Sequence, residues 1–322
     1  MQRVEGVVQH YAWGDPTYLP TLLGAEPDGQ PWAELWLGTH PNGATVLADG
    51  TPLAAVAGEL PYLLKVLAAA EPLSLQTHPT AAQAADGYAR GVFPDPHAKP
   101  ELLYALTEFE ALCGIRPIGP TLGLLGELGD GLDELAGVLA QAGTGAALTG
   151  LYRGLIDPQP VIDACAGSAR PEARWVQWLD GRYPGEPSVA ATLLMNHVVL
   201  APGEAIRLDA GNLHAYLRGA GVELMGASDN VVRGGLTRKP VVIDLLLSIV
   251  DPTPLADPVL PAAPRYDLPA AGVALVLVDA GHVHVAGGHE LAIDLDGAQW
   301  YLGPGDLLTA ATTTYVVTPL GR

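Results

Sequence analysis

The sequence is poor in cysteine, lysine and positive charge. Only Cys113 and Cys165 occur in 322 residues, and they form no CxxC pair. A disulfide framework and a thiolate zinc site are therefore excluded as the basis of the fold. No run of about 18 uninterrupted apolar residues is present, and the first residues, MQRVEGVVQHYAWGD, lack an apolar signal core. A cytoplasmic location is expected. Acidic residues outnumber basic ones by 35 to 16, a net charge of −19, which argues against nucleic acid or an anionic membrane as partner. What the chain does have is hydrophobic content, 49%, enough for a sizeable core. Its length allows two or three domains at about 100–200 residues each.

The only lysines are Lys65, Lys99 and Lys239; all other basic residues are arginine. Where a charge merely solvates a surface, this chain uses Arg. Lysine at three chosen places points to sites that need a compact ammonium rather than a planar guanidinium.

Residues 1–118 mix short strand-like runs with turns, among them WAELWLG (32–38), GATVLA (43–48), LLKVLAAA (63–70) and, mostly as strand, 102–117. Segment 77–91 reads as a turn and a short Ala-rich helix. Residues 119–195 carry Leu at helical spacing with little β-branching, which predicts a helical insertion. Strand patterns return at 197–217, 221–236 and 241–250. After a Pro-rich joint at 252–264, residues 266–322 are short strands separated by Gly and Pro turns. LAPGEAIRLDAGNLHA and LGPGDLLTAATTTYVV share a design, a hint of two related β-barrels. The expected layout is a barrel from 1–118 plus 196–250, a helical insertion at 119–195, and a degenerate β-module at 251–322.

Four residues from distant segments suit a divalent metal, zinc first. Gln76 and His78 stand two apart in LSLQTHP (73–79), so on a strand they share a face. Glu101 sits in a Pro-bracketed turn in DPHAKPELLY (95–104), and His214 closes PGEAIRLDAGNLHAY (202–216). Two imidazoles, one carboxylate and one amide oxygen leave a dication net positive, which suits an electrophilic catalytic centre holding two adjacent substrate oxygens. His97, His10 and His40 are reserve ligands, while His282, His284 and His289 read as ordinary surface histidines. In SDNVVRGGLTRK (228–239), Asp229, Arg233 and Lys239 sit among glycines that allow close backbone approach. Arg233 can fork onto an anion and Lys239 adds a point charge. Trp13, Trp32 and Trp36 read as core, with Glu34 buried and hydrogen-bonded between the last two.

At these residues the chain resembles type I mannose-6-phosphate isomerases. YAWG (11–14), PWAELWLGTHPNG (31–43), YLLKVLAAAEPLSLQTHP (62–79), DPHAKPE (95–101), GNLHAYLRG (211–219) and SDNVVRGGLTRK (228–239) carry the likeness in order. The resemblance implies a mainly β cupin fold, two jelly-roll barrels with an α-helical insertion. It implies one Zn2+ per chain on Gln76, His78, Glu101 and His214. It places Lys99, Arg233 and Asp229 in catalysis and Lys65, Ser74, Tyr216, Glu223 and Lys239 in substrate binding. The implied reaction is interconversion of mannose 6-phosphate and fructose 6-phosphate through a cis-enediol, by a monomer whose partner is a small sugar phosphate. One departure stands out: the family usually has Asn-His-Lys-Pro-Glu where this chain has His97-Ala98-Lys99-Pro100-Glu101. Ring opening, attributed to that histidine, would fall to His97, to another group, or to solution. The rival readings are an iron-dependent cupin oxygenase, an isomerase of another sugar phosphate, and a non-catalytic sugar-phosphate sensor.

Overall fold

The computed structural model describes residues 1–321. It is mainly antiparallel β, with one eleven-stranded and one seven-stranded sheet. Alternation within the strands explains how the larger sheet works. In Glu34–Leu37, Tyr62–Ala69, Glu101–Ala105 and His214–Gly226, successive side chains point to opposite faces. Leu35, Leu37, Leu64, Val66, Leu102, Val222 and Leu224 point one way and join a buried cluster with Leu268, Leu275, Leu291 and Val317 of the C-terminal strands. Each fully buried Leu there contributes about 1.5–3 kcal/mol. Their neighbours Glu34, Lys65, Glu101 and Glu223 point the other way, into a cavity. A buried charge from each of these strands is thus aimed at the interior of the larger sheet.

The His214–Gly226 strand serves two parts of that sheet. Its second half pairs with Tyr62–Ala69 and Glu101–Ala105, and its first half with Phe109–Ile115 and Leu75–Thr77. The register shifts between Tyr216 and Arg218. Just beyond, Gly219 takes φ +116, and a Cβ there would lie 2.6 Å from the Glu108 carbonyl. The bend needs glycine.

Helices fill the stretch from Ile118–Leu128 to Pro187–Ala191. Their leucines (Leu124, Leu135, Leu148) pack with Leu75, Leu112 and Leu213 of the strands beneath. In the short Ala81–Ala89 helix, Thr80 and Gln83 form a reciprocal capping box. Strand Gln2–Glu5 pairs with Gln299–Leu302, so the first strand extends the C-terminal sheet. One expected strand is a helix: within 241–250, residues Ile243–Ile249 are α-helical. Leu246 and Ile249, three apart, supply the buried face, and Asp244 lies in the first turn, where a carboxylate complements the helix dipole. The apolar run is ambiguous in isolation, and packing against the insertion decides it.

Candidate metal centre and active-site cavity

Strand register builds the site. His214 pairs directly with Gln76, and Arg233 pairs with Gln76 from the other side. Glu223 lies opposite Lys65, and Met225 opposite Glu101. His78, Glu101 and His214 thereby bring ligand atoms within 4.8 Å of one another, all buried. The Gln76 amide lies 3.3 Å from His214 Nε2; a half-turn of the amide presents its oxygen instead.

Hydrogen bonds decide the protonation of the two imidazoles. His78 Nδ1 donates to the Asn230 carbonyl at 2.7 Å, and His214 Nδ1 donates to the Asn212 carbonyl at 2.9 Å. A carbonyl can only accept, so in each neutral ring Nε2 keeps a lone pair. Both Nε2 atoms face Glu101, each 3.2 Å from a carboxylate oxygen. His78 Nε2 and Glu101 Oε2 are buried and have no hydrogen-bond partner. Burial, opposed in part by the Glu101 charge, pushes His78 down to about 4. Burial acts to raise Glu101, yet the Lys99 ammonium beside it holds it well below the usual carboxylate range. Acceptors therefore face acceptors in a buried pocket, an arrangement that a cation between them would satisfy. The donor set fits a divalent metal: nitrogen and oxygen ligands with rings fixed from behind by backbone carbonyls.

The surrounding charges agree. Glu34, Glu101 and Glu223 are buried, and among the described residues the ammoniums paired with them are Lys65 and Lys99, so three carboxylates meet two ammoniums. Lys99 Nζ lies 3.0 Å from Glu101. Lys65 is bracketed by Glu223 at 2.9 Å and Glu34 at 3.3 Å and lies over the Trp36 ring. Burial works against its charge, but the two carboxylates raise Lys65 above its ordinary value. Tyr216 donates to Glu223 at 2.8 Å, and burial together with Glu223 raises its phenol well above the usual range. Trp36 Nε1 donates to Glu34 at 2.7 Å, the buried, hydrogen-bonded state expected for this acid.

Glu34, Trp36, Lys65, Gln76, Lys99, Glu101, Tyr216 and Glu223, with Ser74, Arg182, Arg233, Thr237 and Lys239, line one cavity of about 620 Å³, whereas His78 and His214 do not line it. Asp229 stands at its rim, where His40 Nε2 lies 3.4 Å and Asn42 Nδ2 3.2 Å from its carboxylate. His97 lies elsewhere. It and Ala98 line an adjoining cavity of about 830 Å³ that shares only His40 and Asp229 with the first. His10 bonds the Pro31 carbonyl and also stands apart. In the C-terminal sheet region, His284 is not a plain surface residue. Its Nε2 lies 2.6 Å from the fully buried Glu290. Sequence reasoning missed Arg182, which comes from the helical stretch and carries no local signal, and Asp95, discussed below.

The first 118 residues match the model of the type I phosphomannose isomerase catalytic domain. Across 80% of this chain, the mannose-6-phosphate isomerase of Salmonella typhimurium is 36% identical, with 77% of that protein covered. The chain belongs to the type I phosphomannose isomerase family. The human mannose-6-phosphate isomerase is 31% identical over 77% of this chain and 72% of its own length. A crystal structure of the Salmonella typhimurium enzyme bound to fructose 6-phosphate and zinc superposes with a TM-score of 0.80 at 28% identity. That match covers 100% of this chain and 97% of the other, so the phosphomannose isomerase cupin fold extends over the whole length. Among the described residues no helix is long and apolar enough to cross a membrane.

Proposed function

We propose that this phosphomannose isomerase family member interconverts mannose 6-phosphate and fructose 6-phosphate, with zinc held by His78, Glu101, His214 and Gln76. The observation that carries the reading is the triad of buried acceptors facing one another, of which Glu101 lines, together with Gln76, a cavity large enough for a hexose phosphate. When bound, the dication supplies Lewis acidity to the O1 and O2 oxygens of the sugar. The remaining chemistry belongs to the chain. Aldose–ketose isomerisation moves a proton between C1 and C2 through a cis-enediol, so a group beside the metal must carry it. Lys99, against the metal shell, takes that role. Asp229 and Arg233 balance charge on the reacting oxygens. Tyr216 and Glu223 form the wall behind them, hydrogen-bonded to each other.

The phosphate goes to Lys239 and the Ser74 hydroxyl, with Arg182, which also pairs with Glu71, all lining the same cavity. Lys65 is a poor anchor because two carboxylates already neutralise it. Action as a cytoplasmic monomer remains part of the proposal. The layout of a catalytic barrel at 1–118 plus 196–250, an insertion at 119–195 and a C-terminal module at 251–322 remains the proposed division.

The test compares chelator-treated and zinc-restored protein on mannose 6-phosphate. Turnover restored by zinc supports both reaction and metal. Bound zinc without turnover on this substrate refutes the assignment and favours a sugar-phosphate sensor or another substrate.

A further inference from the structure

We infer that Asp95 is a positioning residue that sets both the metal ligand His78 and the rim carboxylate Asp229. The inference rests on the metal-site reading above. Asp95 is half-buried in the PDPH loop and lies far in sequence from the SDN segment that it binds. Its Oδ1 accepts from the Ser228 hydroxyl at 2.9 Å, the His97 amide at 2.9 Å and Asn230 Nδ2 at 3.2 Å. Its Oδ2 accepts from the Asp229 amide at 2.9 Å and is 3.1 Å from the same Ser228 hydroxyl. Asn230 Nδ2 also donates to the Asp95 carbonyl at 2.9 Å and the His97 carbonyl at 2.7 Å.

Asn230 is completely buried, and its own carbonyl receives the His78 Nδ1–H. One carboxylate therefore fixes the backbone group that orients a metal-ligand ring. It also fixes the backbone of the residue whose side chain faces the substrate cavity. Four donors converge on this one carboxyl group. A neutral amide in its place would turn one acceptor into a donor facing either the Asp229 or the His97 N–H.

The test is a competitive-chelator titration of zinc with wild type, Asp95→Asn, Ser228→Ala and two controls. Asp294→Asn removes a comparable turn-capping carboxylate in the C-terminal sheet, where Asp294 accepts from the Asp296 and Ala298 amides. His214→Ala removes a ligand. Partners behind a metal ligand are commonly worth about 10–100-fold in affinity. We expect Asp95→Asn to weaken zinc within that range, Ser228→Ala to weaken it by less, and Asp294→Asn to lower the melting temperature with zinc affinity unchanged. If Asp95→Asn does not fold, Ser228→Ala carries the test. Zinc affinities of Asp95→Asn and Ser228→Ala within threefold of wild type, with only the melting temperature lowered, would reduce Asp95 to loop support and overturn the inference. Unchanged zinc binding by His214→Ala would instead sink the metal-site reading, and the inference with it.

Discussion

Replacing Lys65 by Met tests whether that ammonium holds the fold or the substrate. Its Nζ is paired with Glu223 and Glu34 at 2.9 and 3.3 Å, and the side chain is only 7% exposed. Met is of similar length and strips the charge without opening a large hole. Two carboxylates then remain in a pocket of low dielectric with one counter-charge gone. Removing one partner of a buried ion pair costs about 3–5 kcal/mol, because the other charge stays buried. For a chain of this size, an unfolding entropy near 2.1 cal/mol/K per residue converts that to a melting-temperature loss of roughly 5 °C. The deficit has a pH signature. Burial, together with Glu101 and Glu34, raises Glu223 above its ordinary value even with Lys65 beside it. Without Lys65 it rises further, so the variant binds more protons when folded than when unfolded. Its deficit is therefore full at pH 7 and shrinks as pH falls toward 5. Denaturant titrations of the metal-free protein at both pH values measure this. Stability within about 1 kcal/mol of wild type, with KM for the sugar phosphate raised tenfold or more, would refute the structural role and make Lys65 a phosphate anchor.

Other consequences can be checked alongside it. Lys99→Met and Arg233→Ala should each lower kcat by about 10²–10⁴-fold at unchanged zinc content; a loss below about tenfold in steady-state turnover removes that residue from the mechanism. Arg182→Ala should raise KM for mannose 6-phosphate about tenfold while kcat changes little, since an exposed guanidinium contributes about 1–2 kcal/mol to anion binding; an unchanged KM excludes it from the phosphate subsite. His78 is held neutral down to about 4, against about 6.5 when unfolded. Its folded value is depressed, so the unfolded chain binds more protons in this window. The metal-free protein should therefore lose stability as pH falls from about 6.5 to about 4, and His78→Gln should flatten that slope in a denaturant series.

Much of the site can be read before folding because it depends on residue type and short spacing. Gln76 and His78 share a face by strand alternation alone, and a carboxylate with two imidazoles points to a metal wherever they meet. The helical stretch after residue 118 follows from Leu spacing without β-branching. Glu34, Lys65 and Glu101 also carry a signal, a single charge in an otherwise apolar strand, whereas Glu223 shares its strand with Arg218; only Lys65 and Glu101 stand out without the structure.

Tertiary structure decided how the charges pair. Lys65 reads in the sequence as a substrate-binding ammonium, but register sets it against Glu223 and Glu34, the latter 31 residues away. The 241–250 run reads as a strand, but Leu246 and Ile249 pack as a helix face into the buried cluster of the insertion. His97 stands two residues from Lys99, yet it opens into the neighbouring cavity. Asp95 meets Asn230 across 135 residues, a contact that no local pattern encodes. Local chemistry determines which side chains can bind a metal or carry a proton. Long-range register and packing determine which of them remain free to do so, because a buried charge takes whatever partner the fold brings within about 3 Å.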